Sequence, residues 1–219
     1  MDWILRNAPR IGELTLDHLA LSLPAVLAAF LLSIPLAVLA NRLRLLREPI
    51  ISGTGLLYAV PSLPLFIVLP IILGTGVRDP FNVVVALTLF GMALMVRSAA
   101  EALDAVSGDV RLAATAQGYS PWGRFWAVDL PLAGPALLAG LRVVSVSTIS
   151  LVTVSAVLGV QSLGSLFTDG FQRGIMPSIL AGVVMTALVA LILDLLLILA
   201  GRTLMPWKRT AGRTEGAAA

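Results

Sequence analysis

The chain of 219 residues has no cysteine, one histidine and only 12% charged side chains. Without cysteine it can form no disulfide, thiolate nucleophile or zinc–sulfur site, and its redox compartment stays open. The histidine, His18, stands at the lip of the first apolar run and reads as an interfacial residue, not a metal ligand or catalytic base. Lysine is equally scarce: Lys208 stands alone, behind Pro206 and Trp207. A phosphate-binding loop needs a lysine after its glycines, so any ATP hydrolysis that serves this chain lies on another polypeptide. No removable leader is expected, because Asp2 and Glu13 spoil a basic n-region and no short apolar run with a small-residue cleavage site follows.

The shortage of charge also bounds the solvent. A soluble domain is about a quarter charged and about half apolar, whereas this chain is 58% hydrophobic. Too little polar surface remains to cover a water-facing fold, so lipid is the main solvent. The net charge of +3 does not point to nucleic acid, because the basic residues flank apolar runs in the positive-inside manner.

A bilayer crossing needs about 20 mostly apolar residues. Five such stretches are present: Leu19 to Ala40, Ile50 to Leu73 (broken by Pro61, Pro64 and Pro70), Phe81 to Val96, Leu132 to Val157, and Ser178 to Ala200. The predicted class is an all-α membrane protein of about five transmembrane helices. It divides into an outer N-terminal segment (1–18), a transmembrane domain (19–201) with a polar loop at 97–131, and a basic tail (202–219). With the N-terminus outside, the inner pieces carry Arg42, Arg44, Arg47, Arg97, Arg111, Arg124, Arg202, Lys208, Arg209 and Arg213, against Arg6, Arg10, Arg78 and Arg173 outside. That asymmetry places the 97–131 loop in the cytoplasm. Trp207 suits an interfacial anchor. Trp3, Ile4 and Leu5 are placed to rest on the outer membrane surface, and the small polar tail after Arg209 is expected to be disordered.

The loop is polar but carries ordered-turn signals. Ser107 or Asp109 can cap a helix over Val110–Gln117, on which Val110, Ala113, Ala114 and Gln117 share a face. Gly118 supplies a left-handed residue to end it. Ser120 and Pro121 then provide an N-cap and a first helical position, and Trp122, Phe125 and Trp126 form an apolar face. Two short helices about a glycine corner are predicted, with Pro131 at the entry to the fourth span. A plain ordered loop would satisfy the composition equally well.

The order of residues goes further. The stretch LAATAQGYSPWGRFWAVDLPLAGPALLAG resembles the loop that identifies permease subunits of binding-protein-dependent ABC importers: Glu-Ala-Ala, three residues, Gly, nine residues, an aliphatic position, one residue, Leu-Pro. Ala113, Ala114, Gly118, Val128, Leu130 and Pro131 occupy matching places, and Leu112 stands where the pattern has Glu. The likeness extends over roughly Leu19 to Arg202. YAVPSLPLFIVLPIILG and LGSLFTDGF look like the subfamily that imports glycine betaine, carnitine, choline and proline. The resemblance implies the methionine/osmoprotectant-permease fold, a coupling helix at Ala113, Ala114, Gly118, Leu130 and Pro131, and a place in the bacterial cytoplasmic membrane. It implies a second permease copy or paralogue, a cytoplasmic ATPase dimer holding ATP and magnesium, and an extracytoplasmic substrate-binding protein. It implies no cofactor on this chain.

The solute path is less marked. Ser145, Ser147, Thr148, Ser150, Thr153 and Ser155 put hydroxyls along the fourth span, where they either line a wet path or bond back to helix carbonyls. The proline break at 61–64 frees backbone groups that protein or a cavity must satisfy. Tyr58, Ser62, Thr148 and Thr153 are the path candidates. A cage for a quaternary ammonium ion favours aromatic walls, yet Tyr58 is the only Tyr or Trp within a span, so selection is expected in the external binding protein. Asp194 lies in the fifth span, where a lone carboxylate is costly. It reads either as part of an ion path or as the partner of Arg97 or Arg142, the latter also placed to snorkel to the inner surface. Methionine or another small solute, a secondary transporter working alone, and a scaffold without transport remain as alternative readings.

Overall fold

The computed structural model describes residues 2–207. Lys208, Arg209 and Arg213, and the tail expected to be disordered, lie outside the described residues. Helices α1 (Asp2–Arg6), α2 (Ala8–Arg42), α3 (Arg44–Ala59), α4 (Ser62–Leu73) and α5 (Pro80–Asp104) form the first half. Helices α6 (Gly108–Ala116), α7 (Pro121–Arg124), α8 (Leu130–Val152), α9 (Ser165–Arg173) and α10 (Met176–Leu204) form the second. A π-turn at Phe125–Asp129 joins α7 to α8, and a 3₁₀ turn at Thr153–Leu158 ends α8.

At the centre α2 and α5 lie side by side and parallel. Asn41, near the end of α2, donates from Nδ2 to the Ala100 carbonyl near the end of α5, at 2.9 Å. Lipid offers no hydrophobic drive between helices, so close backbone approach through small residues holds them. Ala25, Ala29, Ser33 and Ala37 recur every fourth residue on α2 and are all buried. At the tightest point a Cβ added to Gly91 would lie 2.6 Å from Ala29 Cβ. Helix α8 returns antiparallel and packs against both α5 and α2, with Val144 beside Gly91 and His18 beside Ile149, and α10 runs antiparallel to α8.

The second predicted span is two helices bent by 107°. Val60 and Pro61 are extended, with ψ of 125° and 134°, as the residue before a proline prefers. Its ends show that the pair crosses and does not re-enter. Arg47 of α3 pairs with Asp104 at the inner end of α5, while Thr75, just past α4, donates to Asn82 at the outer end. Likewise Ile51 packs with Ala99 and Leu103, and Phe66 and Leu69 pack with Val83 and Leu87. The chain therefore makes five crossings.

Three expectations are revised by the packing. Helix α5 runs past Arg97 to Asp104, because nothing breaks it there, Ala99, Ala100, Ala102 and Leu103 are buried, and Arg97 and Glu101 pair at 3.7 Å. Helix α2 begins at Ala8, so most of the outer segment is a continuation of the first span. Ile11, Leu14 and Trp3 pack against Leu163, Leu166 and Ala181, so this segment lies on the bundle, with Leu5 left exposed. His18 is fully buried, not interfacial.

Candidate functional site

The cytoplasmic loop is built by local signals in sequence. Ser107 caps α6, its Oγ accepting from Asp109 N at 3.3 Å. At the other end Gly118 N donates to Thr115 O (3.0 Å) and Tyr119 N to Ala114 O (3.2 Å), the paired closure of a Schellman motif. That closure requires Gly118 at φ 90°, where a side chain is disfavoured. Ser120 then caps α7, accepting from Gly123 N at 3.1 Å. Trp122, Phe125 and Trp126 form one aromatic cluster, with ring centroids 5.3–6.0 Å apart.

The two alanines of the loop point opposite ways. Ala114 is buried within the permease, whereas Ala113, Leu112 and Gln117 are exposed. Leu112, 71% exposed, is a large apolar side chain on the surface where the family pattern has a carboxylate. Leu130 and Pro131 are half-buried at the head of α8.

A tether not foreseen in the sequence fixes the loop to the spans. Asp129, in the π-turn ahead of α8, is nearly buried and receives Arg111 of α6 at 3.3 Å and Arg124 of α7 at 3.5 Å. Arg111 also donates from Nη2 to the Leu103 carbonyl of α5, and Arg124 donates to Thr115 Oγ1 at 3.3 Å. One carboxylate thus links both loop helices to α8, and Arg111 carries the link on to α5. The sequence signal was an acid between aromatic and Leu-Pro residues, but its partners lie too far along the chain for spacing to select.

The path candidates do not converge. Tyr58 is half exposed and meets Phe90 edge-on at 6.3 Å. Ser62 opens α4 beyond the bend. Thr148 is buried in α8. Thr153 lines a groove of about 290 Å³ between α8, α9 and α10 together with Ser150 and Thr186, and neither Tyr58 nor Ser62 reaches it. Back-bonding takes several of the hydroxyls: Ser145 donates to Leu141 O (2.8 Å), Thr153 to Ser150 O (2.6 Å) and Ser155 to Val152 O (2.7 Å).

Two polar residues inside the spans have structural partners. Asp194 is bound by Arg142, Nε to Oδ1 at 2.6 Å and Nη2 to Oδ2 at 2.8 Å. His18 Nε2 lies 3.0 Å from the Ile149 carbonyl. That carbonyl is freed because α8 tightens at Thr153, whose N–H turns to Ser150 O and Leu151 O. His18 therefore donates there. Among the described residues no group of three or more His, Asp and Glu side chains is placed to hold a metal ion.

Five crossings and a capped polar corner tied through Asp129 to α5 and α8 make a helical membrane protein with one ordered loop between its spans. The comparisons agree: the chain belongs to the family described as the inner membrane component of binding-protein-dependent transport systems, whose sequence profile matches residues 29–210. It is 32% identical over 198 residues to the osmoprotectant import permease protein OsmW of Salmonella typhimurium, covering 89% of this chain and 92% of that protein. It is 29% identical over 196 residues to the glycine betaine/carnitine/choline transport system permease protein OpuCD of Bacillus subtilis, covering 89% and 84%. Its fold matches the inward-facing MetNI methionine ABC transporter with TM-score 0.73 at 19% identity, over 90% of this chain and 94% of that one. An amino acid ABC transporter matches with TM-score 0.69 at 16% identity, over 94% and 96%. The protein is thus a multi-pass inner-membrane permease, and ATP is hydrolysed on a separate subunit. The reading as a secondary transporter working alone is set aside.

Proposed function

We propose that this permease imports an osmoprotectant of the glycine betaine, choline, carnitine or proline class. The observation that supports this best is the likeness over nearly its whole length to permeases named for those solutes. The absence of Trp from the five apolar runs supports selection by an external binding protein, since a cage for a quaternary ammonium ion favours aromatic walls, Trp best. Two permeases, of the same or related chains, stand side by side. An ATPase dimer carrying ATP and magnesium takes hold of each at Ala113 and Gly118. Ala114, Leu130 and Pro131 support that corner from within. Leu112 makes the contact apolar, through shape and burial in place of a salt bridge. Closure of the ATPases pushes the corner, and the Asp129 tether passes the push to α5 and α8. Thr148 on α8, Thr153 in the turn that ends it, and Tyr58 and Ser62 at the elbow then lie on the elements that move about the solute.

The test is reconstitution of the permease with its ATPase and binding protein in proteoliposomes, with labelled betaine, choline, carnitine, proline and methionine. ATP-dependent uptake of one or more of the first four is expected. Uptake of methionine alone overturns the osmoprotectant reading.

A further inference from the structure

At the outer end of the bundle, a basin of about 360 Å³ opens above the last turn of α8. Its volume lies within the range of small-molecule sites, about 300–1,000 Å³. Arg78, from the connection between α4 and α5, stands on its wall. Gln161, Ser165, Thr168, Asp169 and Gln172 complete its polar lining.

Of the three charged residues that line the basin, one already has partners. Arg10, which also lines the basin, is held by Glu13 at 3.3 Å and by Gln161. Asp79 caps α5, accepting from Phe81 N at 2.9 Å. Arg78 and Asp169 differ. Both line the basin, yet among the described residues neither side chain has a hydrogen bond or ion pair, with the other or with anything else. The guanidinium of Arg78 lies across Gly159, where an added Cβ would sit 3.1 Å from Arg78 Nε. Gly159 has φ 82°, so both its backbone and the arginine resting on it disfavour a side chain there.

A simple anion or cation would neutralise one of these two groups. A zwitterion carries both charges within a few ångströms and can meet both, the arginine through a charge-assisted bond to its carboxylate. The 3₁₀ turn on its wall begins at Thr153, and Thr153, with Ser150 and Thr186, lines the neighbouring groove between α8, α9 and α10.

We infer that this basin is a receiving site for a small zwitterionic solute released at the outer face, with Arg78 taking the carboxylate and Asp169 the cationic end. The inference rests on the importer reading above and adds a solute class to this chain's own residues. Selection by the binding protein comes first, and the basin accepts what it releases.

The experiment uses the whole reconstituted complex with saturating loaded binding protein, and compares labelled glycine betaine with choline, which has no carboxylate. Arg78→Gln is expected to lower maximal betaine uptake about tenfold and choline uptake less than twofold. Arg78→Lys restores most of the betaine uptake, and this rescue alone decides if the complex carries no choline. Asp169→Asn lowers uptake of both solutes. ATP hydrolysis stimulated by the binding protein persists in every variant, which separates the basin from docking. Uptake unchanged in Arg78→Gln and Asp169→Asn overturns the inference, as does equal loss of both solutes in Arg78→Gln. A complex that imports none of betaine, choline, carnitine and proline sinks the osmoprotectant reading instead. The same variants then apply to whichever zwitterion it does carry, with loss in both expected and unchanged uptake overturning the basin. A complex that imports choline but no zwitterion overturns the basin and leaves the osmoprotectant reading standing.

Discussion

Arg142 on α8 grips Asp194 on α10 through two parallel hydrogen bonds of 2.6 and 2.8 Å. Fork-to-carboxylate pairing of this kind fixes orientation as well as charge. Among the residues of α10 only Ser178, Ala181, Gly182 and Val189 are buried, so this pair is a principal polar tie between the last helix and the bundle. Removing one partner leaves the other charge unpaired near lipid, whereas replacing both leaves none. Asp194→Leu or Arg142→Leu alone should lower the melting temperature in detergent more than the double replacement does. A double variant less stable than either single one would contradict this account.

The corner at Gly118 makes a second prediction. Its φ of 90° costs a β-branched residue roughly 1–3 kcal/mol. Gly118→Val should insert normally and yet recover severalfold less ATPase on co-purification, while Gly118→Asn, which tolerates the left-handed region, keeps most of it. A normal amount of ATPase bound to the valine variant would show that the corner is not the docking point.

Where α2 and α5 touch, volume is the constraint. Gly91→Val places a Cβ 2.6 Å from Ala29 Cβ, and overpacking of this kind costs about 1–3 kcal/mol. Lower thermal stability and yield in detergent are expected. Ala29→Gly in the same chain removes the opposing methyl and should recover part of the loss. Equal stability of the single and double variants would place the clash elsewhere.

A variant at Asp129 is expected to separate hydrolysis from transport. Asp129→Asn keeps shape but removes the charge that holds Arg111 and Arg124. ATPase should still bind and turn over, while the solute moved per ATP falls severalfold. Measuring both rates on one proteoliposome preparation decides it, and an unchanged ratio would remove the tether from the coupling route.

What could be read from sequence divides along the range of the interactions. The caps at Ser107 and Ser120, the left-handed Gly118 and the helix start at Pro121 are set by neighbours a few residues away, so the loop was legible almost residue by residue. The apolar runs gave the number of crossings, but Pro61 announced a break and not its 107° bend, which depends on how α3 and α4 pack on the two ends of α5. Asp194 could be narrowed to two arginines by cost alone, and packing chose Arg142. His18 and Asp129 escaped, since the Ile149 carbonyl is 131 positions away and the arginines of Asp129 approach it from separate turns. Which of Ala113 and Ala114 faced outward was likewise hidden, since both sit on one small-residue stripe.

The elbow at Val60–Pro61 makes one crossing of this permease shorter in reach than its residues would allow. At 1.5 Å per residue its arms measure about 24 and about 18 Å, so a bend of 107° leaves their far ends about 25 Å apart, against about 42 Å if straight. The hydrocarbon layer is about 30 Å thick. Opening or closing the joint changes that reach without breaking a hydrogen bond inside either arm. A thicker or thinner bilayer would therefore be met first at this joint, while each of the other four crossings is a single helix that would respond mainly by tilting.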